Sequence, residues 1–104
     1  MRFPFTDLTS TKLRPALVWA VHGEDVILLG IFSRVPGGTP SNTWVPLEDR
    51  HPSFAQSGLR KTSMLKAEKI AVVHESGFQR RLGSLSPGLM SQAEEALKRA
   101  LLIS

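Results

Sequence analysis

The chain has 104 residues, 41% of them apolar, enough for one hydrophobic core and too few for a second domain or a linker. The absence of cysteine excludes a disulfide scaffold, a thiol nucleophile and a cysteine-ligated zinc, and fits a reducing compartment. Thirteen Lys and Arg against nine Asp and Glu give a formal charge of +4, which favours polyanionic partners such as RNA or DNA. No apolar run approaches the roughly 18 residues of a membrane span. The start, Met1-Arg2-Phe3-Pro4-Phe5, meets polar residues at Thr6 and Asp7, unlike a secretory signal. A soluble cytoplasmic protein with no membrane partner is expected.

In chain order, Phe3, Pro4 and Phe5 read as the tail of a strand, and Thr6-Asp7-Leu8-Thr9-Ser10-Thr11 as a hydroxyl-rich loop, since small polar side chains bond to nearby backbone and favour turns. Lys12-Leu13-Arg14-Pro15 then leads into the apolar run Ala16 to Val21. Proline is tolerated at the first residue of a strand and confines its predecessor to extended conformations, so the backbone aims Arg14 from a strand mouth. A guanidinium fixed there suits an anion-handling site; it equally suits a solubilised loop end. His22-Gly23-Glu24-Asp25 closes the run, and Val26 to Phe32 is a second β-rich run, so the two predict a hairpin. Both runs are nearly continuous, which predicts burial on both faces. Pro36-Gly37-Gly38-Thr39-Pro40-Ser41-Asn42 predicts a mobile surface loop, and Thr43, Trp44, Val45 and Leu47, interrupted by Pro46, a short edge strand.

Glu48 to Phe54 is mostly polar, and Ser57-Gly58-Leu59-Arg60-Lys61-Thr62 is a basic turn. In Met64 to Val73 the apolar Leu65, Ala67, Ile70 and Val72 follow a period of two whose phase slips near Glu68 and Lys69, where a bulge would re-aim the strand. After His74-Glu75-Ser76-Gly77 comes the short basic segment Phe78 to Leu85. Ser86 then sits as an N-cap with Pro87 at the first helical position, and Leu89, Met90, Ala93, Leu97, Ala100 and Leu101 recur at helical spacing. Glu94 with Lys98 and Glu95 with Arg99 are four-apart pairs on its outer face. Five or so short strands without crossover helices, followed by one helix, predict a mainly β fold with a C-terminal helix, the strands forming a small, strongly bent barrel.

Candidate site residues are few. His22, His51 and His74 show neither metal-ligand spacing nor an evident carboxylate partner and read as surface residues; no metal or other cofactor is expected. Asp7 either orients Arg14 or, more simply, caps a turn. Lys12, Arg34, Arg60, Lys61, Arg80 and Arg81 are candidates for a path of phosphate contacts, although each alone is more readily a solvated charge. Trp19 reads as core. Trp44, in a loop-rich stretch, suits stacking on a base or on a partner's side chain.

Phe3-Pro4-Phe5-Thr6-Asp7, Lys12-Leu13-Arg14-Pro15-Ala16-Leu17-Val18, Asp25-Val26-Ile27-Leu28 to Ser33, Gly58-Leu59-Arg60-Lys61 and Arg81-Leu82-Gly83-Ser84-Leu85-Ser86, taken in order and spacing, resemble the PemK/MazF family of toxins. The resemblance implies a single domain over residues 1–104, a small SH3-like barrel of the PemK/MazF/CcdB type with a C-terminal helix, and a homodimer. It also implies ribosome-independent, metal-free cleavage of single-stranded RNA, inhibited by a separate small antitoxin. Such cleavage uses the 2′-hydroxyl as nucleophile, and the enzyme must take its proton, stabilise extra charge on phosphorus and protonate the leaving oxygen. Arg14, in the Arg-Pro-Ala motif, is the candidate for the second task, because its planar fork binds phosphate oxygens in pairs and stays charged.

The family places a threonine, then a serine or another small residue, at the end of the next strand. Here Ile31-Phe32-Ser33-Arg34 stands there, so Phe32 takes the threonine's place and Ser33 alone offers a hydroxyl beside Arg14. A phenyl group relays no proton, and Phe32 fits a core position more readily than a base-stacking platform. Family members commonly begin with a Gly-Asp pair and the body of a first strand; without them, either a displaced gene start or a barrel short of most of one strand, with an exposed edge, is expected. Two readings stay open: an endoribonuclease toxin, and a catalytically impaired module that binds antitoxin or nucleic acid without cleavage. Gyrase poisoning, as by the related CcdB toxins, ranks behind both.

Overall fold

The hairpin that follows Pro15 forms the middle of a six-stranded antiparallel sheet. The structure, a computed structural model, describes residues 6–8, 14–33 and 41–103, with 6–8, 79 and 80 described by backbone alone. Its elements are β1 (Thr6–Leu8), β2 (Pro15–His22), β3 (Asp25–Phe32), β4 (Trp44–Leu47), a one-turn helix α1 (Phe54–Ser57), β5 (Ser63–His74), β6 (Phe78–Arg81) and α2 (Pro87–Ala100). The strand order is β4-β5-β3-β2-β1-β6.

Strands β2 and β3 turn through Gly23 and Glu24, with His22 opposite Asp25. Ala16, Leu17 and Val18 are all buried, as are Leu28 and Leu29, so these successive residues are covered on both faces as expected; the expectation fails at the far end of β2, where Val21 is 46% exposed. Strand β4 lies at a sheet edge, where Pro46 costs no central ladder bond. The phase slip in β5 is a bulge. Leu29 pairs with Ile70 whereas Gly30 pairs with Lys66, so Ala67, Glu68 and Lys69 are interposed.

Helix α2 closes the core. Ser86 Oγ accepts from Leu89 N at 3.3 Å, satisfying one free N–H of the first turn, and Pro87 needs no such bond. Leu89, Ala93, Ala96 and Leu97 pack with Leu17, Leu29, Ile31, Val45, Leu47, Leu65 and Ala67 inside the curled sheet, and Trp19 packs against that cluster. Removing each of the Leu, Ile and Val side chains from water stabilises the fold by about 1.5–3 kcal/mol, and each alanine by less.

Several expectations are corrected. Thr6–Leu8 is a strand rather than a loop, because β2 and β6 flank it and supply ladder partners; Asp7 therefore sits opposite Pro15 in a strand, not in a turn. Phe54–Ser57 is helical within a stretch that reads as loop. Leu101 lies past the helix and is 49% exposed. The outer-face pair is Glu95 with Lys98, three apart at 4.0 Å, while Arg99 Nε donates to Asn42 O at 2.7 Å. His74 does have a carboxylate partner: its Nε2 lies 3.1 Å from Glu24 Oε2, brought there by the pairing of β3 with β5. Among the described residues the first strand is short, but β1 is paired on both sides and leaves no exposed edge of its own. The expected Phe3–Phe5 strand tail and most of the Pro36–Asn42 loop lie outside the described residues.

Candidate functional site

Residues directly opposite on paired strands point to the same face. Trp44 is opposite Lys66, Lys66 opposite Gly30, and Gly30 opposite Ala16, so one row crosses four strands. Val45, Leu65, Leu29 and Ile31 alternate with this row and enter the core. Phe32, two residues beyond Gly30, shares the outer face, and Arg14, two residues before Ala16, comes up beside it. The guanidinium carbon of Arg14 is 5.8 Å from the Phe32 ring centroid. Lys66 Nζ lies 4.9 Å from the Phe32 centroid and 4.4 Å from that of Trp44. Two cations and two rings therefore interleave on one face, each contact within cation–π range.

The walls of this cluster are held in place. A Cβ on Gly30 would meet Phe32 Cε2 at 2.8 Å, so the phenyl ring lies against bare backbone that only glycine leaves open. Trp44 Nε1 donates to Glu68 Oε2 at 2.8 Å, and Thr43 Oγ1 donates to Glu68 Oε1 at 2.8 Å. Partial burial pushes the Glu68 carboxyl up, but the bonds from Trp44, Thr43 and its own backbone N–H, with the charge of Lys69, outweigh it and hold the group below the usual carboxylate range. Glu68 is thus an ionised anchor for the indole and a poor proton acceptor. Beside the cluster runs an open groove of about 320 Å³ lined by Arg14, Pro15, Ala16, Leu28, Phe32 and Lys69, among others.

The structure brings Arg14 and Trp44 into this one cluster through Phe32 and Lys66. Ser33 is exposed and directly follows Phe32, at the sheet end where Arg14 stands. Arg60 and Lys61 are exposed in the loop that leads into β5, whose first residues pair with the end of β3. That loop is pinned by Gly58, which has φ of 75° and abuts the Leu82 carbonyl too closely for any Cβ. Arg81 is exposed on β6, one strand beyond Thr6, which itself pairs with Ala16. Lys12 and Arg34 lie outside the described residues, and Arg80 is placed in β6 by its backbone alone.

Phe32 is half-buried on the outer face, not in the core, because Ile31 takes the inward position and strand alternation turns its neighbour outward. Lys66, Glu68 and Thr43 are the members that sequence reasoning missed. Lys66 could have been suspected as the polar residue between inward-facing Leu65 and Ala67; its apposition to Trp44 needed the strand register. A second groove, of about 420 Å³, is lined by Pro46, Glu48, Arg50, His51, Leu89 and Gln92 and holds none of the expected site residues. Its Arg50 Nε donates to Glu48 Oε2 at 2.6 Å, an internal neutralisation.

Over residues 3–101 the sequence matches the family model described as PemK-like, MazF-like toxin of type II toxin-antitoxin system. The chain belongs to this family. Among solved structures, the Mycobacterium tuberculosis toxin MazF-mt6 is similar, with a TM-score of 0.79 and 22% identity over 97% of this chain and 98% of that one. An endoribonuclease in complex with its cognate antitoxin, from mycobacterial species, gives 0.78 at 19% identity over 100% and 96% of the two chains. A further Mtb toxin gives 0.73 at 21% identity over 92% and 98%. At such identities these likenesses speak for the fold, which is the expected small PemK/MazF-type barrel of mainly β structure with a C-terminal helix. No curated protein matches the chain. Among the described residues of this PemK/MazF-family toxin, no helix is long and apolar enough to cross a membrane.

Proposed function

We propose that this PemK/MazF-family toxin is a metal-independent endoribonuclease that cuts single-stranded RNA, messenger RNA included. The observation that carries the reading is the outer-face cluster: exposed Arg14 and half-buried Lys66 set among two aromatic rings, a combination suited to a strand of alternating phosphates and bases. In the proposed reaction the 2′-oxygen bonds to phosphorus as the bond from phosphorus to the 5′-oxygen breaks. The 2′-proton leaves and the 5′-oxygen gains one, giving a cyclic phosphate and a free 5′-hydroxyl. Arg14 supplies charge stabilisation on the non-bridging oxygens. Ser33, the hydroxyl adjoining Phe32 at the same sheet end, donates a hydrogen bond in that state. Arg60, Lys61, Arg81, Lys12, Arg34 and Arg80 extend the phosphate path. A homodimer in the cytoplasm, controlled by a small separate antitoxin, completes the reading; that a similar structure holds an endoribonuclease with its cognate antitoxin supports the last point.

One observation favours the alternative, a module that binds RNA or antitoxin without cutting: the Phe32 ring lies beside Arg14 where the family resemblance calls for a hydroxyl. Purified protein incubated with long single-stranded RNA in EDTA separates the two. Cleavage that Arg14→Ala abolishes is expected. RNA left intact by the native chain but cut by Phe32→Thr would establish the binding module instead.

A further inference from the structure

We infer that Phe32 and Trp44 are the two walls of a slot for one nucleobase of the single-stranded substrate, purine in preference to pyrimidine, and that Lys66 is the cation that fills the slot until the base enters. The inference rests on the RNA reading of this face and adds the element that selects a base. Lys66 projects from β5 between the strand of Trp44 and the strand of Gly30, and Phe32 lies over Gly30. Its ammonium lies over both rings, 4.4 Å from the Trp44 centroid and 4.9 Å from the Phe32 centroid, and so occupies the space that a planar base would take.

The two walls are fixed and the filling is not. Glu68 holds the indole by its N–H, and the backbone of Gly30 seats the phenyl ring. Lys66, by contrast, has a flexible four-carbon stem, and a cation–ring contact near the surface is weak enough to exchange. A base entering the slot exchanges both cation contacts of Lys66 for stacking on both sides, and the released ammonium, now beside the sugar–phosphate chain, pairs with a phosphate. A purine gains more than a pyrimidine because it covers more of both rings. Phe32, which cannot serve the chemistry expected of the threonine it replaces, thereby acquires a role of its own as a specificity-determining residue.

The test uses fluorescence anisotropy with oligodeoxyadenylate, which has no 2′-hydroxyl and is not cut, against an abasic phosphodiester of the same length. The native protein is expected to bind the adenylate at least about fivefold more tightly, the low end of what stacking one base provides. Phe32→Leu, and independently Gly30→Ala, which displaces the ring with no change at Phe32, should each erase that preference while leaving affinity for the abasic chain and the melting temperature unchanged. Lys66→Met should keep the preference and reduce the salt slope by about one phosphate contact. Equal affinity for the two oligomers, no binding of either, or a preference that survives both Phe32→Leu and Gly30→Ala would overturn the slot. So would Phe32-dependent binding of an acidic peptide without any base preference, which would make this a protein-binding face. Cleavage of long RNA by the native chain is scored separately. If it occurs with no base preference, the slot alone fails; if it is absent while the preference holds, the cleavage reading alone fails.

Discussion

At its end, from Leu29 to Phe32, strand β3 carries opposite kinds of side chain on its two faces, and the two answer to different constraints. On the inner face Leu29 and Ile31 are 0% and 2% exposed and belong to the apolar core cluster. On the outer face Gly30 and Phe32 alternate with them, and there a missing Cβ seats a ring that two cations approach. The inner face needs volume and apolarity, which many residues supply. Each position on the outer face needs a particular chemistry: a guanidinium, a π face, a bare backbone. Stability and activity should therefore separate cleanly by side of the sheet, although the residues concerned are neighbours in sequence.

The sharpest break of that pattern is expected at Leu29. Leu29→Ala empties a fully buried site and should cost about 2–5 kcal/mol, lowering the melting temperature by about 10 °C or more while leaving cleavage per folded molecule unchanged. Calorimetry alongside an RNA-cleavage assay checks both halves; a loss of specific activity matching the loss of stability would mean that the faces are coupled. Arg14→Ala is the mirror experiment. Its side chain is exposed, so the melting temperature should hold, whereas cleavage should fall at least about a hundredfold, as loss of one transition-state donor does. Retained cleavage with lowered stability would reverse the assignment of the outer face. Ile31→Val, an intermediate case, removes one methylene from the inner face and should cost about 0.5–1.5 kcal/mol with no kinetic effect, readable as a shift in urea midpoint.

What could be read from the residues follows the same division. The β2–β3 hairpin, the edge strand with its proline, the slip at Glu68 and Lys69 and the capped helix are all local patterns, and the inner face is their sum. The outer face depends on register between distant segments. Trp44 meets Glu68 across 24 residues and Thr43 meets it across 25, so neither partnership leaves a trace in either segment alone. Phe32 reads more readily as core for a related reason: an aromatic at the end of an apolar run fits the core until alternation assigns that place to Ile31. Strand β1 is legible only once both flanking strands are known, since Thr6, Asp7 and Leu8 taken alone favour a turn. His74 found its carboxylate 50 residues away, across the β3–β5 pairing. Arg14 was accessible from sequence because Pro15 constrains it locally.

The smallest expected effect concerns pH, and it too should distinguish the faces. Ser57 and Ser63 are the buried polar residues among those described, so the inner face holds no buried titratable group there. The outer face has Glu68, whose carboxyl is held below its ordinary value of 4.5. A carboxyl depressed on folding contributes stability that is complete above its unfolded pKa and is lost as pH falls through the folded one. The native chain should therefore lose slightly more stability than Glu68→Gln as the pH is lowered below about 4.5, by no more than about 1 kcal/mol because the group is largely exposed and screened. Tryptophan emission provides the specific readout. Protonation weakens the acceptor of the Trp44 N–H bond, so native emission should shift over that interval; in Glu68→Gln the Trp44 part of the shift should vanish, whereas any contribution from Trp19 is common to both proteins and cancels in the difference. Superimposable pH profiles would mean that Trp44 is held by its packing alone and that the outer wall, like the core, is indifferent to charge.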